Sequence, residues 1–139
     1  MDYKILRNGV NVPVLGLGTY KLYDEEAEEI VLEALRLGYR HIDTASYYEN
    51  EAAIGRALAK SDVPREELFI TSKCWEDEQG YDEVLEAFNR SLEKLQTDYL
   101  DLYLIHWPNP KSIETWKAME KLYEEGKVRA IGLSNFHSK

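Results

Sequence analysis

The alternation of apolar and polar positions divides the chain into short runs and longer amphipathic stretches. Residues 3–6 and 10–14 flank Arg7-Asn8-Gly9, and Asn-Gly between two such arms predicts a tight hairpin. Pro13 lacks an amide donor, which places the second arm at a sheet edge. Val14-Leu15-Gly16-Leu17-Gly18 is a compact apolar run, read as a first buried strand ending at Thr19-Tyr20. A helix is predicted over 24–37, with Asp24 as its N-cap and Glu25 and Glu26 near its positive end. Ala27, Ile30, Val31, Ala34 and Leu35 form its apolar face, and Gly38 suits a left-handed stop. A strand follows at 39–43. Ala53, Ile54, Ala57 and Leu58 then recur at helical spacing over 50–60.

A polar connection at 61–67 contains Pro64, and residues 68–72 form a β-rich run leading into Lys73. After a loop holding Trp75 and Gly80, a third amphipathic helix is marked by Tyr81, Val84, Leu85, Phe88, Leu92 and Leu95. Residues 99–105 are the most apolar strand, interrupted only by Asp101 and ending in His106-Trp107-Pro108. Ile113, Trp116, Met119, Leu122 and Tyr123 mark a fourth helix stopped by Gly126. A fifth strand at 128–133 runs into Ser134-Asn135-Phe136.

Hairpin apart, strands and helices alternate, which calls for a parallel sheet covered by helices. A doubly wound open sheet and an eight-stranded barrel are the two common outcomes. A dinucleotide-binding open sheet would carry G-x-G-x-x-G at the first helix. Gly16-Leu17-Gly18 begins that pattern, but Lys21 stands where the third glycine is needed. The barrel topology is therefore expected. The 139 residues read as one α/β domain, with the hairpin in 1–14 and β/α units in 15–139.

Composition narrows the function. A net charge of −9 with no basic cluster argues against nucleic acid. No apolar run approaches membrane-spanning length, and the opening residues lack an apolar signal region. The single cysteine, Cys74, excludes an internal disulfide and fits a reducing compartment, so a cytoplasmic setting is expected. No metal site is expected.

The candidate chemistry lies at the strand ends. Asp43, Lys73, His106 and Ser134 close consecutive predicted strands, at separations of 30, 33 and 28 residues. In a barrel those ends converge on one mouth. Singly, such residues are unremarkable: Asp43-Thr44 can cap a turn, and Tyr47-Tyr48 can pack a loop on the surface. Together they suit proton transfer. A free tyrosine titrates near pH 10, and a neighbouring ammonium favours its phenolate. Tyr48, Lys73 and Asp43 form such a relay, and His106 is placed to hydrogen-bond and orient a carbonyl. The set suits protonating an oxygen as it becomes an alcohol, with hydride arriving from a cofactor.

The stretches GYRHIDTASYYENE, FITSKCW, LDLYLIHWP and IGLSNF resemble signatures of the aldo-keto reductases. The bacterial branch with 2,5-diketo-gluconate reductases and prostaglandin-F-synthase-like enzymes is the most similar. The resemblance implies an eight-stranded β/α barrel, closed below by a hairpin, that reduces small carbonyl compounds with NADPH, NADH being the alternative. It places the family's catalytic tetrad on Asp43, Tyr48, Lys73 and His106, with Tyr48 as general acid. Asp43, Ser134 and Asn135 would hold the nicotinamide end of the cofactor, beside Gly18, Thr19 and Tyr20. The family often has Trp in place of Tyr20. Tyr20, Trp75, His106 and Trp107 would line the substrate pocket, although a packing role for the two tryptophans stays open.

The match runs through essentially all 139 residues but resembles only the N-terminal half of such a reductase. The last three strands and the basic loops that clamp the cofactor phosphates have no counterpart. Five barrel strands alone leave two open edges and an exposed interior. A monomeric parent enzyme is expected, whereas this length alone is expected to be poorly active and to self-associate. Two alternatives remain beside the enzyme: a cofactor-sensing, non-catalytic subunit on the same fold, and an inert half-barrel.

Overall fold

A computed structural model describes residues 3–6, 9–13 and 15–133. Strands β1 (Tyr3–Ile5) and β2 (Asn11–Pro13) pair antiparallel, with Tyr3 opposite Pro13. Gly9 has φ 86° and donates to the Leu6 carbonyl at 2.9 Å, the left-handed geometry that the Asn-Gly pattern implies. Arg7, Asn8 and Val14 lie outside the described residues.

The remaining elements are β3 (Gly16–Gly18), α1 (Asp24–Arg36), β4 (His41–Asp43), α2 (Glu51–Lys60), β5 (Phe69–Cys74), α3 (Tyr81–Leu95), β6 (Leu100–Ile105), α4 (Ser112–Glu124) and β7 (Val128–Leu133). Three single-turn 3-10 segments, Ser46–Tyr48, Arg65–Glu67 and Glu76–Glu78, fall between them. The expected N-cap of α1 is displaced by one residue. Tyr23, not Asp24, has extended backbone, and its carbonyl accepts the Ala27 amide at 3.1 Å. Asp24 instead joins Glu25 and Glu26 in the first turn, where their charges meet the positive helix end. At the other end Gly38 donates to Leu35 and Tyr39 to Ala34, with φ 103° at Gly38. That pattern is the Schellman stop.

All four strand pairings from β3 to β7 are parallel, in the spatial order β3-β4-β5-β6-β7. Each strand lies beside its predecessor in sequence. A doubly wound sheet must reverse direction at a switch point, and this one does not. The order is that of five successive barrel strands.

Registration sorts the side chains into two faces. Gly18, Asp43, Thr71, Leu102 and Ala130 form one row across the sheet, and Lys73, Leu104 and Gly132 the next. On the opposite face Ile42, Ile70, Cys74, Tyr103 and Ile105 join Val31, Ile54, Val84, Phe88 and Met119 of the helices in one buried core. The Phe88 and Tyr103 rings meet edge-on at 5.1 Å. Each such side chain contributes about 1.5–3 kcal/mol on burial. Helices α2 and α3 pack so closely that a Cβ on Gly55 would lie 2.0 Å from the Lys94 carbonyl oxygen.

Asp101, the break in the most apolar strand, is fully buried. Its carboxylate accepts the Ile70 amide at 2.8 Å and pairs with Arg65 at 2.8 Å and Arg129 at 3.2 Å. Arg65 also donates to the carbonyls of Leu68 and Tyr99. The cluster ties the chain before β5 to β6 and β7.

Candidate active site

Asp43 closes β4, and its carbonyl accepts both the amide and the hydroxyl of Thr19, at 3.1 and 3.0 Å. The chain then makes a single turn, Ser46–Tyr48, ended by Glu49 at φ 58°. That turn swings Tyr48 back over the sheet end. Lys73, two residues beyond Thr71 on the same face of β5, rises to meet it. Lys73 is 5 % exposed and its ammonium has three acceptors: the Asp43 carboxylate, the Thr44 carbonyl at 3.1 Å and the Tyr48 hydroxyl oxygen at 3.4 Å. These use the three donors of an ammonium group. Because Lys73 donates to the phenolic oxygen, the Tyr48 O–H points away from the ammonium.

His106 follows β6, held by its amide donating to the Cys74 carbonyl at 3.1 Å. Its ring stands edge-on to Tyr48 at 5.7 Å and is buried. Burial lowers its pKa below the usual histidine value, and the Lys73 charge lowers it further against the opposing pull of Asp43. A neutral imidazole is therefore favoured. Asp43, Lys73 and His106, expected from strand-end spacing, and Tyr48, from the loop after Asp43, are thus brought together at one end of the sheet.

Aromatic rings surround this group. Tyr20, 57 % exposed, lies 5.2 Å from Tyr48. Trp75 meets His106 edge-on at 5.0 Å, and Trp107 lies parallel to His106 with ring centres 6.5 Å apart. Gly18 and Thr19 sit at the end of β3, and a Cβ on Gly18 would meet nothing within 4 Å. Ser134 and Asn135 lie outside the described residues.

Tyr47, Asn50 and Glu78 shape the site without having been singled out in the sequence for a role in it. Tyr47 stacks on Trp75 at 3.9 Å. Asn50 donates to the Thr19 and Leu22 carbonyls at 2.8 and 3.0 Å and accepts the Thr44 hydroxyl at 2.6 Å, fastening the Tyr20 loop to β4. Glu51, buried, accepts the hydroxyls of Ser72 and Ser91, and burial raises its pKa. Glu78 binds the Trp75 amide at 2.8 Å. Asn50-Glu51 at the head of a helix reads as ordinary capping. Glu78, three residues after Trp75, has capping-box spacing. Neither pattern names a distant partner.

Among the described residues no helix is long and apolar enough to cross a membrane. Nor do three or more His, Cys, Asp or Glu side chains among them form a group that could hold a metal ion.

A parallel sheet in barrel order, with a buried lysine joining a carboxylate to a tyrosine at its mouth, defines a class that comparison with known proteins identifies. The family model described as the aldo/keto reductase family matches residues 14–139. A glyoxal reductase of Bacillus subtilis (strain 168) is 57% identical over 133 residues, covering 94% of this chain and 48% of that protein. The crystal structure of an aldo/keto reductase from Brucella melitensis superposes with a TM-score of 0.96 at 48% identity, covering 99% of this chain and 55% of that one. A Bombyx mori aldo-keto reductase in complex with NADP gives a TM-score of 0.91 at 38% identity, over 97% of this chain and 50% of that one. The chain belongs to the aldo-keto reductase family. It spans about half the length of these relatives.

Proposed function

We propose that the protein reduces aldehydes or ketones to alcohols with NADPH, in the cytoplasm, with Tyr48 as proton donor. The observation that carries this reading is the Lys73 ammonium, ion-paired with Asp43 and 3.4 Å from the Tyr48 hydroxyl oxygen. The fit to a nicotinamide cofactor can be judged from the residues present. The Asp43 side chain is 40% exposed, leaving a carboxylate accessible to a ribose hydroxyl, and the space beside Gly18 is open. These features suit the nicotinamide end, which Ser134 and Asn135 would also hold. The cofactor, when bound, supplies the hydride.

The residues of the chain supply the rest. Tyr48 donates its proton to the carbonyl oxygen, and the charge developing on its own oxygen falls beside the Lys73 ammonium. Asp43 keeps that ammonium in place. His106, neutral and buried, donates an N–H to the same carbonyl oxygen and fixes its orientation. Tyr20, Trp75 and Trp107 give the substrate apolar walls. The name of the Bacillus subtilis relative, glyoxal reductase, supports small reactive carbonyl compounds as substrates.

Tyr48→Phe removes the donated proton and little else. In the whole enzyme that contains this chain, turnover should fall by about a thousandfold or more, with NADPH affinity nearly unchanged, because the hydroxyl acts in the transition state. Stopped-flow turnover and NADPH fluorescence titration measure the two quantities. Retained turnover would remove Tyr48 as the proton donor.

A further inference from the structure

Glu78 does something that proton transfer by the tetrad does not require. Its Oε1 accepts the Trp75 amide at 2.8 Å and also the Ser46 hydroxyl, while its Oε2 lies 3.6 Å from Arg90. Ser46 opens the turn that carries Tyr47 and Tyr48, and its hydroxyl also reaches the Lys73 carbonyl at 3.2 Å. One carboxylate, its side chain only 15% exposed, therefore ties the turn after β4 to the loop after β5.

The two tied segments each carry one ring of a stack. Tyr47 and Trp75 lie 3.9 Å apart at an interplanar angle of 21°. Both stand nearly perpendicular to the His106 ring, with centres 6.3 and 5.0 Å from it. At that separation the rings are in van der Waals contact and no flat group fits between them. The stack forms one wall beside His106, where the carbonyl end of a substrate would lie. Tyr47 is half exposed, so its packing against Trp75 depends on how the two loops are held. Glu78 holds both.

We propose that Glu78 is a positioning residue that sets substrate shape: by latching Ser46 to Trp75 it keeps the Tyr47–Trp75 stack closed. The closed stack favours slender carbonyl compounds over flat aromatic ones. The kinetic part rests on the carbonyl-reduction reading, whereas the latch itself does not.

Glu78→Ala removes the latch and Glu78→Gln keeps an acceptor oxygen for it. The first measurement is near-ultraviolet circular dichroism, with the Trp75 contribution assigned from Trp75→Phe. The second is the ratio of kcat/KM for benzaldehyde to that for propanal. In Glu78→Ala the Trp75 band should weaken and the ratio should rise about tenfold, the size of effect that pocket shape ordinarily exerts, and Glu78→Gln should return to within about twofold of the parent. A folded Glu78→Ala protein that keeps both band and ratio would overturn the proposal. Should that variant fail to fold, Ser46→Ala severs the tie between the two loops, together with the Ser46 bond to the Lys73 carbonyl, and must produce the same changes; an unchanged band and ratio there overturns it equally. These measurements are made on the whole enzyme that contains this chain; if it reduces neither aldehyde without substitution, the reductase reading fails, and the near-ultraviolet band alone decides the latch.

Discussion

His41 and His106 both have pKa values lowered from the usual 6.5, chiefly because burial disfavours the imidazolium ion. Between the lowered folded value and 6.5 the unfolded chain binds more protons, so stability rises with pH across that window. The contribution is complete above 6.5 and is lost as pH falls towards the folded values. Glu51 acts in the opposite sense. Burial raises its pKa above 4.5, so from 4.5 up to the raised value the folded state holds the extra proton and stability falls as pH rises. His41 also shares a 2.9 Å hydrogen bond with Thr71, which glutamine can replace. His41→Gln should therefore lose less stability than the parent between about pH 7.5 and pH 5.5. Urea midpoints at the two pH values measure the difference, and equal losses would remove His41 as a source of acid sensitivity.

At the scale of elements, Asp101 shows how a single break in an apolar run can organise a sheet. Asp101→Ala would leave Arg65 largely buried without its carboxylate and the Ile70 amide without its acceptor. The loss should be about 3–5 kcal/mol. Replacing the pair together, as Asp101→Ala with Arg65→Met, should cost less than the two single changes added, because no buried charge is then stranded. Chemical denaturation of the three variants tests this, and simple additivity would refute it. The sequence marked Asp101 as an interruption but not its partners, since Arg65 and Arg129 precede and follow it by a whole β/α unit. Helices and strands were legible to within a residue or two because periodicity extends over many positions. The 3-10 segments are too short to show a period, and Asp24 misled because its type suits a cap as well as a first turn. Within the site, Asp43, Lys73 and His106 could be found from strand-end spacing, and Tyr48 from the loop beside them. Tyr47, Asn50 and Glu78 matter through contacts made only when separate loops meet.

For the whole molecule, the five-stranded sheet has two edge strands, β3 and β7, and a face opposite the helices on which Leu102 and Leu104 are only half-buried. Leu133, on β7, is 50% exposed. Such edges and faces promote association. A polypeptide of these 139 residues prepared alone should therefore self-associate. It should also bind NADPH weakly, since its net charge of −9 opposes the approach of the cofactor's anionic phosphates. Light scattering and NADPH titration on one sample test both; a monodisperse monomer with micromolar affinity would sink this account.

The consecutive strand order also makes the backbone ladder of the sheet a one-dimensional array, in which each strand is hydrogen-bonded only to the strands before and after it. Opening can start at either outer rung and stop there. The tetrad is carried by β4, by the turn following it, by β5 and by the residue after β6, the three inner rungs. Each of those is supported on both flanks. The cluster of Asp43, Tyr48, Lys73 and His106 is thus screened from β7 by β6, whereas a substitution that loosens β3 acts on it directly, through Thr19 on the Asp43 carbonyl and Tyr20 beside Tyr48.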